Sequence, residues 1–197
     1  GESWTQRNSG LGFSNIAAVH YNNGRLFAAS FGGGLYYSDN NGFNWYKATG
    51  ISDEYTIKVA SNGNTLYLAT YKKGLFVSTD NGTSWKKHQY NGSIYDILVF
   101  DDYVFFGIYQ SGLYLSRNKG VSFNLVTEYT GDKSILSLSM DKNYLYIGTS
   151  SGMYRLSFNS LNITSVPEIN PDTKSEPFDI YPNPCKDVLF FHYKEEP

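Results

Sequence analysis

The sequence predicts an all-β fold built from a four-stranded antiparallel unit that repeats about every 40 residues. Three observations carry this. First, residues 74–85 (GLFVSTDNGTSW) have the form of a strand, a tight turn and the start of a second strand, and residues 34–45 and 112–123 share that form. Gly152, Met153, Tyr154 and Arg155 open a fourth copy that then departs, and the opening glycines Gly34, Gly74, Gly112 and Gly152 set the period. Second, aromatics make up 17% of the chain and there are 19 Gly, a composition suited to short strands joined by tight turns. Third, no segment shows helical periodicity over a useful length.

Each repeat divides into strands a to d. The first reads as 16–21, 25–30, 34–38 and 44–48, and the second as 55–60, 65–70, 74–78 and 84–89. The third reads as 94–100, 103–109, 112–116 and 122–127. The fourth gives 135–140, 144–149 and 152–156, with no clear turn motif after it. Asn22-Asn23-Gly24, Asn62-Gly63-Asn64, Asp101-Asp102 and Asp141-Lys142-Asn143 supply turn chemistry between strands a and b. One such unit cannot bury both faces alone, so the units must stack as blades around an axis, which is a β-propeller.

The c–d turn has its own logic. In the second repeat Ser78 and Asp80 offer short side chains that bond backbone N–H groups, Gly82 allows a positive φ, and Trp85 opens the next strand with a large apolar surface. The pattern Ser-x-Asp-x-Gly-x-Ser-Trp resembles the Asp-box, or BNR repeat, of sialidase-like β-propellers. Ser38, Asn40, Gly42 and Trp45 match it with Asn for Asp, and Ser116, Asn118, Gly120 and Phe123 match it with Phe for Trp as well. The resemblance implies a propeller in which these boxes are structural turns, remote from any catalytic residues.

Residues 1–158 are therefore read as propeller blades. Gly1, Glu2, Ser3 and Trp4 match the second half of a box, and residues 4–8 read as a lone strand d. That strand either closes a small four-bladed ring or ends a blade that precedes it in a larger propeller, the reading that the half-box favours. An open arc would leave strand edges and apolar blade faces exposed, inviting self-association or a partner. Residues 159–177 hold three of the six Pro and read as a linker, or as a closing strand over 161–166 followed by a linker. Residues 178–197 contain Tyr181-Pro182-Asn183-Pro184 before an apolar strand. This resembles the start of the C-terminal sorting domain of the type IX secretion system of Bacteroidetes, which implies export and a cell-surface or secreted location.

Catalytic chemistry is sparse. The chain has four arginines, Arg7, Arg25, Arg117 and Arg155, and lacks the Arg-Ile-Pro motif of the sialidase-like family. Asp53, Glu54, Asp96, Glu128 and Asp132 are the carboxylates near the d–a connections or strand a, and they read as solvated loop residues rather than a glycosidase pair. His20, His88 and His192 share no metal-ligand spacing, His88 reading as surface, and lone Cys185 forms no internal disulfide. No cofactor is called for. The net charge of −2, without a basic stripe, argues against nucleic acid as a partner, and no apolar run reaches membrane-spanning length. One constellation does repeat: Phe31, Tyr71 and Tyr109 follow strand b in three copies, with Ser150 in the fourth. They either finish the strand by packing locally or form stacking platforms for sugars or anchors for a protein. The sequence thus points to a non-catalytic binding or scaffold propeller. A glycoside hydrolase with catalytic residues in further blades is the alternative.

Overall fold

The computed structural model describes residues 4–53 and 55–164, and the sorting-like segment and most of the 159–177 segment lie outside them. The described residues form a β-propeller arc of four antiparallel sheets. The first blade is β1 (Ile16–Asn22), β2 (Arg25–Ser30), β3 (Gly34–Ser38) and β4 (Tyr46–Lys47). The second is β5 (Thr56–Asn62), β6 (Thr65–Thr70), β7 (Leu75–Ser78) and β8 (Lys86–Lys87). The third is β9 (Ile94–Phe100), β10 (Tyr103–Ile108), β11 (Gly112–Ser116) and β12 (Asn124–Leu125). The fourth has β13 (Ile135–Met140), β14 (Tyr144–Thr149) and β15 (Gly152–Ser157), followed by a short 3-10 turn at Asn159–Leu161. Strands a to c keep their expected places. Strand d shrinks to two residues in each of three blades, because each pairs with its strand c at only two positions.

Buried clusters fill the gaps between neighbouring blades. Phe27, Ala29 and Leu35 of the first blade meet Val59, Leu66, Leu68 and Trp85 of the second. Tyr67, Ala69 and Leu75 meet Ile97, Val104, Phe106 and Phe123 of the third. Phe105 and Leu113 meet Leu138, Leu145, Ile147, Phe158 and Ile163 of the fourth. Burying one such Leu, Ile or Phe contributes about 1.5–3 kcal/mol. Among the described residues no cluster joins the fourth blade to the first, so the blades form an open arc.

The three c–d turns share one hydrogen-bond pattern. The Ser78 hydroxyl accepts from the N–H of Gly82 (2.8 Å) and donates to the Asp80 carboxylate (2.7 Å). That carboxylate accepts from the Ser84 N–H (2.9 Å). Ser38 and Ser116 make the matching bonds with Gly42 and Asn40, and with Gly120 and Asn118. Only an acceptor oxygen is required at the middle position, which explains why Asn serves as well as Asp. Gly82 is held at φ +77°, and a Cβ there would stand 2.5 Å from the Phe27 ring. The turn is therefore seated on the preceding blade, and Trp85 meets Phe27 edge to face at 6.5 Å.

Two expectations at the ends need correction. Residues 4–8 form no strand and do not close the fourth blade. They lie against the first, where the Trp45 indole donates to the Arg7 carbonyl (2.8 Å) and the Arg7 guanidinium stacks on Phe43. Residues 161–164 are not a strand either. Leu145 pairs with Leu156 as Val104 pairs with Ser116, so Ile163 occupies the register of Trp45, Trp85 and Phe123, and it is buried. The 3-10 turn thus takes the place of a box whose polar residues are gone.

Candidate functional site: an aromatic row on the loop face

The a–b and c–d turns lie at one end of the strands, and the b–c and d–a connections lie at the other. Phe31, Tyr71, Tyr109 and Ser150 directly follow strand b on this second, loop face. Each donates its backbone N–H to the carbonyl just ahead of strand a of its own blade: Phe31 to Asn15 (2.8 Å), Tyr71 to Tyr55 (2.9 Å), Tyr109 to Ser93 (2.8 Å) and Ser150 to Ser134 (3.3 Å). One backbone geometry therefore presents all four side chains.

Two tyrosines that sequence reasoning did not single out connect these positions. Phe31 meets Tyr55 at 4.9 Å and Tyr71 at 5.6 Å, Tyr71 meets Tyr95 at 6.3 Å, and Tyr95 meets Tyr109 at 5.8 Å. All these contacts are edge-to-face, the favoured geometry for aromatic pairs. The result is a continuous row of five rings across three blades. Local packing and exposure coexist, since Phe31, Tyr55 and Tyr109 remain 38%, 38% and 39% exposed. The Lys72 ammonium stands over the rings of Tyr55 and Tyr71, at 5.6 and 5.8 Å from their centroids. Burial, then the nearby Tyr71 and Tyr109, push the Tyr95 hydroxyl above its ordinary value, so it stays protonated and able to donate.

The carboxylates have mostly structural partners. Asp53 is not solvated: it is buried and accepts from the N–H groups of Tyr55, Lys72 and Lys73 at 2.9–3.1 Å, which fixes the loop bearing Tyr71. Asp96 is buried as well, accepting from the N–H groups of Ile97 and Leu138 and pairing with Lys58 at 2.5 Å, so it ties three blades together. Asp132 accepts from the Ser134 N–H and the Ser150 hydroxyl, and hydrogen bonds led by the Ser134 N–H hold its carboxyl down to about 2. Such a group is an acceptor at neutral pH and does not deliver a proton. Glu54 lies outside the described residues. His88 is half-buried rather than on the surface, stacked on Tyr90 at 5.1 Å and edge-on to Phe123. Among the described residues no group of three His, Cys, Asp or Glu is placed to hold a metal, and no helix is long and apolar enough to cross a membrane.

An open cavity of about 450 Å³ lies between the 128–132 loop and β15, lined by Tyr129, Tyr154 and Arg155. Tyr154 and Arg155 correspond in register to Tyr36 and Tyr37, which pair with β4. The cavity is thus the space beside an outer strand edge that carries a partner strand in the other three blades.

The four stacked sheets place the chain in the β-propeller class. Solved structures agree. An ancestral GH74 enzyme superposes with a TM-score of 0.64 at 23% identity, over 79% of this chain and 24% of that one. The computationally designed protein Ika4 superposes at 0.60 with 14% identity, over 79% of this chain and 99% of that one. PorZ, a bacterial surface component of the type IX secretion system of Porphyromonas gingivalis, superposes at 0.59 with 16% identity, over 79% of this chain and 23% of that one. The chain spans about a quarter of the length of the GH74 enzyme and of PorZ. No protein-family model and no curated protein sequence matches.

Proposed function

We propose that the chain is a non-catalytic, surface-located propeller module that binds an extended glycan along the row Phe31–Tyr55–Tyr71–Tyr95–Tyr109. The row itself carries this reading. Five rings at contact spacing across three blades, three of them exposed, form an apolar and repetitive platform positioned by main-chain hydrogen bonds. Tyrosine adds hydroxyl groups, which bond a polyol while the ring faces cover its apolar C–H surface. Two features support a surface location: the sorting-like tail, and a shared fold with a surface component of a secretion system. The three c–d turns serve in this reading as Asp-box hinges and touch no ligand.

Hydrolysis by a larger assembly is the second reading, favoured by the fold shared with GH74 enzymes. Binding and turnover assays on immobilised plant and bacterial polysaccharides separate the two. The module retains a polysaccharide without degrading it, and the Tyr71→Ala/Tyr109→Ala double variant binds at least about tenfold more weakly, the loss of about 1.4 kcal/mol or more expected of anchor residues. Unchanged retention by the folded double variant would rule out the row as the binding surface, and robust release of oligosaccharides would replace the module reading with the enzyme reading.

A further inference from the structure

One cation sits on the aromatic row. The Lys72 ammonium lies over the rings of Tyr55 and Tyr71, at 5.6 and 5.8 Å from their centroids, within the range of cation–π attraction. The main chain that carries it is pinned. The N–H groups of Lys72 and Lys73 both donate to the buried Asp53 carboxylate, which also accepts from the Tyr55 N–H. The Lys72 side chain is exposed, and among the described residues no carboxylate forms an ion pair with it. Asp53 lends its oxygens to main-chain N–H groups, and Asp132, farther along this face, accepts from Ser134 and Ser150 at the fourth blade. Two more exposed cations flank the row. Lys73 follows Lys72, and the Lys133 carbonyl accepts from the N–H of Gln110, next to Tyr109, at 3.0 Å.

This placement bears on which sugar the row accepts. A neutral sugar that stacks on Tyr55 or Tyr71 at that spot displaces the ammonium and gives up the cation–π contact. A sugar whose acidic group meets the ammonium leaves it on the rings and gains an ion pair, beside apolar surface that strengthens the attraction. We propose that, with the row as the ligand surface proposed above, Lys72 selects an acidic glycan, carrying carboxylate or sulfate groups, over a neutral one. Lysine is a point charge and not a bidentate fork, so it reads the charge of the glycan rather than the shape of one acidic group.

Isothermal titration calorimetry of the full 197-residue chain tests this. Polygalacturonate and its fully methyl-esterified form present one backbone with and without charge, and a sulfated galactan and its desulfated form make the second arm. The wild type is expected to bind at least one acidic polymer at least about twofold more tightly than its neutral form, and to lose that preference as salt screens the pair. Preference in the first arm marks carboxylate as the group selected, and preference in the second marks sulfate. Lys72→Gln weakens binding of the acidic polymer about two- to fivefold, as one exposed ion pair contributes, and leaves the neutral form bound as well or better. Lys72→Arg, which keeps the charge and stacks on the rings, restores the preference. Both substitutions keep the melting temperature, because the hydrogen bonds that fix this loop are made by the main chain. Equal affinity for acidic and neutral forms in both arms, or an equal loss on both forms in Lys72→Gln, would overturn the proposal. If binding then still fell in the Tyr71→Ala/Tyr109→Ala variant, the row would stand as the ligand surface without charge selection. A chain that binds none of the four polymers would overturn both.

Discussion

The three tryptophans provide a graded test of how the blades are held together. Trp85 is 6% exposed, sits between two blades, meets Phe27 edge to face, and donates its indole N–H to the Gly82 carbonyl at 3.2 Å. Trp85→Ala therefore removes a filled interface and leaves a cavity bounded by rigid strands, which costs about 3–5 kcal/mol. Trp45 occupies the same register, but it is covered on its outer side by the N-terminal segment, with Leu11 packing there and Arg7 accepting its indole N–H. Its loss exposes a cover that yields more easily, so Trp45→Ala is expected near the low end of that range. Trp4 is 96% exposed, and Trp4→Ala should stay within about 0.5 kcal/mol. Urea unfolding followed by far-UV circular dichroism measures all three on one scale, without relying on the fluorophore that is removed. The order Trp85 > Trp45 > Trp4 is expected. A Trp85→Ala cost below about 1 kcal/mol, or a Trp4→Ala cost equal to it, would refute the seating of the turn on the preceding blade.

Further outcomes follow from the same turns and carboxylates. Gly82→Ala meets both a positive φ and the Phe27 ring, for about 2–5 kcal/mol, whereas Gly24→Ala, at φ +82° with open space around it, meets only the first, for about 1–2 kcal/mol; equal thermal-melting costs would show that the ring contact is not felt. Hydrogen bonds led by the Ser84 hydroxyl hold Asp80 at about 2, against an ordinary 3.8, so its stabilisation is full above that ordinary value and is lost as pH falls toward 2. Asp80→Asn keeps the acceptor, as Asn118 does toward Ser122, so it should melt like wild type at pH 7 and show a flatter stability decline between about pH 4 and 2. Asp96→Ala strips the acceptor from the buried N–H of Leu138 and removes one ion-pair partner of Lys58, and should cost about 1–3 kcal/mol in denaturant titration; a smaller loss would mean that other groups tie these blades.

The repeat was legible because its punctuation is chemical. Serine, an Asn or Asp acceptor and a glycine recur at fixed offsets, and each is required by one bond or one backbone angle. The fourth copy was illegible beyond β15 because it drops those polar residues and keeps only apolar register, at Phe158, Leu161 and Ile163. Three of the five rings of the aromatic row, Phe31, Tyr71 and Tyr109, were visible, since strand b ends at a constant position. Tyr55 and Tyr95 were not, because Tyr55 directly precedes β5 whereas Tyr95 is the second residue of β9, and the register shift in β9–β10 pairing that accompanies Tyr95 leaves no residue signature. Asp53 and Asp96 were misread for a related reason. Their donors come from loops or blades about 20 and 42 residues further on, a distance at which a lone carboxylate looks like a surface charge.

A ligand of the module touches either the loop face, where the aromatic row lies, or the turn face. Aromatic-region NMR of the chain, titrated with the polysaccharide fragment it retains best, measures this directly. The ring signals of Phe31, Tyr55, Tyr71, Tyr95 and Tyr109 are expected to shift together while the indole N–H signals of Trp45 and Trp85 stay in place. Shifts at the indoles with a silent row would contradict binding on the row and move the binding surface to the turn face.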